Sequence, residues 1–98
     1  MSLRVILRPE AAAELTEAKA WYQNRLDGLG DRFAAAVVVA IEGVVAAPRA
    51  FPKVRGEIRR VLVSSFPYAL YYQLIERDVV VLAIMHGRRR PREWDVRL

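Results

Sequence analysis

The chain has 98 residues, enough for one small domain, and a hydrophobic content of 54% excludes a disordered tail. With no cysteine and a single histidine, disulfides, thiolate metal sites and histidine-based metal sites are excluded, and no cofactor is expected. The formal net charge is +5, and fourteen of the sixteen basic residues are arginine, the side chain suited to bidentate contacts with phosphate or carboxylate.

Residues 3–8, LRVILR, alternate as a short strand does. Leu3, Val5 and Leu7 point one way, and Arg4, Ile6 and Arg8 the other. Pro9 suits the first turn of a helix, where its missing N–H costs nothing. Glu10 and Glu14 complement the positive end of that helix. Ala11, Leu15, Ala18, Trp21 or Tyr22, and Leu26 form one apolar stripe at spacings of three and four, with Trp21 and Tyr22 expected to pack. LDGLGD then breaks the pattern with two glycines. A second helix carries Leu29, Phe33, Ala36, Val37, Ala40, Ile41, Val44 and Val45 and stops before Pro48, which completes an αα-hairpin.

The second half changes period. APRAFPKVRGE, with Pro48, Pro52 and Gly56, reads as a loop. Residues 57–64 set Ile58, Arg60 and Leu62 against Arg59, Val61 and Val63. Residues 68–76 alternate with aromatics, so that Tyr68, Leu70, Tyr72 and Leu74 share a face and Tyr71 lies opposite with Gln73. Residues 79–86 form the most apolar strand, and Pro67 is expected to open the strand before it or to sit at a bulge. The order is β-α-α-β-β-β. It predicts an α+β fold in which the helical hairpin packs on a small antiparallel-rich sheet.

Charge is unevenly spread. Residues 1–48 carry five basic and six acidic side chains, whereas residues 49–98 carry eleven and five. The second half is therefore built to meet something negative. The first ten residues, MSLRVILRPE, lack the apolar core of a signal peptide. The longest apolar runs fall short of the roughly 20 residues a membrane span needs. A cytoplasmic protein with no membrane partner is expected.

Taken together, the element order and the segments PEAAAEL, WYQNRLDGLGDRF, FPYALYYQL and VVVLAIMHGRRRPREW resemble the RelE/ParE family of type II toxin–antitoxin toxins, also called plasmid stabilisation proteins. The similarity runs from about Leu3 to Trp94. It implies a single toxin domain, a cognate antitoxin encoded beside it, and one of two targets. RelE-like toxins cleave mRNA on the ribosome, and ParE-like toxins poison DNA gyrase by binding. The resemblance also implies that nuclease chemistry would fall to basic residues and a tyrosine or histidine near the C-terminus.

The residues can be weighed for that chemistry. A metal-free ribonuclease needs a base for the 2′-OH, an acid for the leaving oxygen, and cations on the phosphate. His86 is the side chain poised for the proton work. Arg60 and Arg88 are its expected catalytic companions. Arg59, Arg60, Arg88, Arg89, Arg90 and Arg92 would hold phosphate or an acidic partner, and Tyr71 would stack on a base. No tyrosine follows His86, and the chain has only two lysines. That pattern favours the ParE-like reading over the nuclease. Set against both is a module that binds an antitoxin without poisoning anything. Tyr72 is expected in the core, and Trp94 is expected to pin the C-terminal segment.

Overall fold

The computed structural model describes residues 3–87. Its elements are β1 (Arg4–Leu7), α1 (Pro9–Arg25), α2 (Leu29–Ala46), β2 (Lys53–Arg55), β3 (Ile58–Leu62), β4 (Tyr68–Ile75) and β5 (Asp78–His86). The strands form one sheet in the order β1-β5-β4-β3-β2. β2 to β5 make an antiparallel meander, and β1 joins its far edge parallel to β5. Both helices lie on one face, so the expected α+β layering stands. The order, however, is β-α-α-β-β-β-β.

The added strand is β2, in the segment expected to be a loop. Three residues between Pro52 and Gly56 are too few to show a period. They become a strand only because β3 lies alongside, with Lys53 opposite Arg59 and Arg55 opposite Ile58. Gly56, at φ +53°, makes the turn between them. Arg8 leaves the strand pattern as well. It caps α1 from an extended conformation, and Pro9 follows as the first helical residue.

The hairpin is tight because of two glycines with different tasks. Gly28, at φ +86°, takes the left-handed conformation that starts α2. Gly30 lets the helices touch: a Cβ there would sit 2.5 Å from the Lys19 carbonyl oxygen. Its N–H donates instead to Gln23 Oε1 at 3.1 Å, tying α2 to α1.

Strand alternation sorts the core into two clusters. On the helix side, Ala11, Ala18, Tyr22, Phe33, Val37, Ala40 and Val44 pack on Val61, Val63, Leu70, Tyr72, Val79, Val81 and Ile84. Leu3, Val5 and Leu7 join them, as the alternation predicts. Burying each large apolar side chain contributes about 1.5–3 kcal/mol, so this layer carries most of the stability. The opposite cluster is smaller: Ile58, Ala69, Tyr71, Val80, Leu82, Ala83 and Met85. Leu82 and Ala83 are chain neighbours yet share that face. The register slips between Tyr71↔Ala83 and Tyr72↔Val81, which leaves Leu82 as the extra residue of a bulge.

Two expectations on α1 need correction. Trp21 and Leu26 are 51% and 58% exposed, because the stripe that meets the sheet is Ala11, Ala18 and Tyr22. Trp21 packs its edge on Tyr22 and carries the Arg25 guanidinium 4.3 Å from its ring centroid. The expected roles of Arg88, Arg89, Arg90, Arg92 and Trp94 lie outside the described residues.

Candidate interaction site

Of the expected site residues within the described part, Arg60, Tyr71 and His86 converge on one end of the sheet, and Arg59 does not. Pairing of β3 with β4 sets Arg60 opposite Tyr71, and pairing of β4 with β5 sets Tyr68 opposite His86. The β3–β4 connection folds over this end. Val63 N–H donates to Tyr68 O at 2.9 Å, and Ser65 adopts φ +70° in the turn. Gly87 N–H donates to Pro67 O at 2.7 Å, which fastens the end of β5 beside that turn. A cleft of about 440 Å³ results, with Arg60, Leu62, Pro67, Tyr71, His86 and Gly87 among its walls.

His86 is held by a relay of rings. Its imidazole meets Tyr68 edge-on at 5.4 Å. Tyr68 meets Phe33 at 5.0 Å, and Phe33 meets Tyr22 and Phe66 at 5.2 and 5.1 Å. Pairs of this geometry are worth about 0.5–1.5 kcal/mol each beyond their burial. The helical hairpin thus reaches the histidine through aromatic contacts.

The two neighbouring arginines part company. Arg60 faces the cleft and is exposed. Arg59 points to the helix side, where its Nη1 donates to the carbonyl oxygens of Phe51 at 2.6 Å and Arg49 at 3.1 Å. It anchors the segment leading into β2. Tyr71 is only 7% exposed, so its ring face is packed rather than offered for stacking. Tyr72 is fully buried, and its hydroxyl donates to Pro48 O at 2.8 Å. Burial pushes the Tyr72 phenol above its ordinary value, and the Arg59 charge opposes part of that rise. The tyrosine-rich strand is therefore mostly core.

Several wall residues were not expected as site residues from the sequence. Leu62 is 70% exposed at the cleft, and Phe66 and Pro67 come from the turn. Leu62 falls on the Arg60 face by simple alternation, which is the signal that marks it. Among the described residues, no group of three His, Asp or Glu side chains is placed to hold a metal ion, and no helix is long and apolar enough to cross a membrane.

A family model described as the ParE toxin of the type II toxin–antitoxin system parDE matches residues 5–91. The chain belongs to the ParE toxin family. A type II system pairs its toxin with an antitoxin, so ParE membership assigns this chain an antitoxin partner. Two solved structures share the fold. One is a chromosomal ParDE system from P. aeruginosa, at TM-score 0.73 and 14% identity over 87% of this chain and 96% of that one. The other is a free-state, double arginine-to-alanine variant of the E. coli toxin RelE, at TM-score 0.69 and 20% identity over 90% and 86%. At these identities the likeness concerns the fold. No curated protein matches the chain.

Proposed function

We propose that this ParE-family toxin arrests growth by binding DNA gyrase rather than by cutting RNA, and that the antitoxin neutralises it. The observation that carries this reading is the make-up of the cleft around His86. Leu62, Val63, Phe66, Pro67 and Ala69 line it, with Arg60 as its arginine among the described residues. An apolar cleft with Arg60 at its rim suits a protein surface, where aromatic and aliphatic anchors surround an arginine. A site that takes RNA would present open rings for its bases. Here Tyr71 and Tyr72 are packed. The exposed Arg60, with Arg88, Arg89, Arg90 and Arg92 as its expected companions, supplies charge for the target contact.

The test uses toxin freed of antitoxin, added in parallel to a gyrase supercoiling reaction and to a translation extract. Supercoiling stops and translation continues if the reading holds. His86→Gln separates the mechanisms. It keeps shape and part of the hydrogen bonding but cannot exchange protons near neutral pH. Loss of a general acid or base lowers a rate by about 10²–10⁴-fold, whereas the binding mechanism predicts a much smaller effect. A folded His86→Gln toxin that loses all RNA cleavage would make this protein a ribosome-dependent endoribonuclease.

A further inference from the structure

β5 is longer than the strand beside it. β1 runs along β5 only from Asp78 to Val81, and the Arg8 N–H on Val81 O extends that pairing by one bond. β5 continues to His86. Among the described residues no strand lies beside this extension on the β1 side. α1 takes that place: the Glu14 carboxylate accepts the Ile84 N–H at 2.9 Å. A side chain does there what a neighbouring strand's carbonyl does elsewhere.

Between α1 and the extension runs a groove of about 540 Å³, walled by Glu14, Glu17, Trp21, Tyr22, Ile84 and His86. Its charge opposes that of the molecule. The chain carries +5, yet this groove holds two carboxylates one helical turn apart. Trp21 at its rim already carries one guanidinium, that of Arg25, 4.3 Å from the ring centroid. The groove thus combines an apolar wall, a sheet edge and a preference for a cation.

We propose that this groove takes an extended peptide segment of a partner protein, which adds to β5 as a strand and places a lysine or arginine between Glu14 and Glu17. A backbone carbonyl of the segment replaces Glu14 on the Ile84 N–H. The released carboxylate then receives the basic side chain. Side chains two positions apart on a strand share a face, so the residue two along from the basic one turns toward Trp21 and Tyr22, which lie on the same helix as Glu14 and Glu17. Pro67, Tyr68 and His86 line both this groove and the cleft on the other side. The segment and a target in the cleft therefore share a wall. Only this last point rests on the proposed function: a partner seated on the helix side shifts His86 and Tyr68 in the target cleft without covering it.

The probes are two synthetic nine-residue peptides, one alternating valine with lysine and one alternating valine with glutamate. Each is titrated into the toxin at low salt and followed by NMR. The valine–lysine peptide is expected to shift the Ile84 amide, the Trp21 indole and the His86 ring, and to bind at least about tenfold more tightly, since like charges placed together are strongly disfavoured. Glu14→Gln with Glu17→Gln removes the preference. If that pair fails to fold, Glu17→Gln alone, at an exposed position, reduces it. Equal binding of the two peptides overturns the proposal, and so do shifts confined to the cationic β2 edge at Lys53 and Arg55. Neither gyrase nor the ribosome enters this experiment, so its failure is distinct from failure of the proposed target.

Discussion

The two faces of the sheet use the same kinds of residue for different ends, and Arg59 and Arg60 show it most sharply. They are adjacent in sequence and equally charged. The pleat sends Arg59 to the helix-covered face, where two backbone carbonyls occupy its guanidinium. It sends Arg60 to the other face, at the mouth of the cleft. The tyrosines divide in the same way, with Tyr72 in the helix-side core and Tyr71 in the smaller cluster opposite. Residue type therefore says little about role in this sheet. What counts is the side on which a residue falls and whether the surrounding backbone already uses its polar atoms.

The comparison breaks most visibly at Phe33, the fully buried ring that links Tyr22, Phe66 and Tyr68. Phe33→Ala is expected to destabilise the fold by about 3–5 kcal/mol, since it removes a large ring and leaves a cavity. Chemical denaturation measures this directly. A cost below about 1 kcal/mol would mean that the helix-side cluster is not the principal core. A middle-sized effect separates the two arginines. Arg59→Ala removes two charge-assisted hydrogen bonds and should cost about 1–3 kcal/mol. Arg60→Ala should stay within about 0.5 kcal/mol while weakening growth arrest. Equal stabilities for the two variants would show that the division between faces has no energetic content.

The smallest effect sharpens the comparison through pH. Tyr72→Phe deletes the hydroxyl that donates to Pro48 O and should cost about 1 kcal/mol at neutral pH. Burial holds the Tyr72 phenol above its ordinary value, so the folded state favours the neutral form. The stability this provides is complete below the unfolded value, about 10, and is lost as pH rises through the raised folded value. Tyr22 is shifted upward too, first by burial and then by Tyr68. Stability should therefore fall in alkaline solution, and Tyr72→Phe should flatten that fall without abolishing it. Thermal melts across the alkaline range read both slopes, and an unchanged slope in the variant would remove Tyr72 from the account.

Much of this architecture was legible in residue order. Pro9 marks the start of α1, and the apolar spacing from Leu29 to Val45 marks α2. The alternation around Tyr68–Leu74 assigns the right residues to the helix side. Periodicity reports on neighbours along the chain, and these features are local. The resemblance read from the same segments pointed to the family that the chain belongs to. Other features had no local signal. β2 exists because β3 offers it partners, and the β5 bulge changes the face of the residues beyond Leu82 only through pairing with β4. Trp21 and Leu26 carry the apolar character of the stripe yet stay exposed, because the hairpin turns Ala18 and Tyr22 to the sheet instead. The groove beside Ile84 arises where β1 ends and β5 does not, a difference in length between strands some seventy residues apart. Sequence alone determined both helices, the strands other than β2, and which residues could be core, since those depend on intrinsic conformation and hydrophobic period. Tertiary structure alone decided which arginine is free to meet a partner and where a carboxylate stands in for a strand, since those depend on which distant backbone groups come within hydrogen-bonding reach.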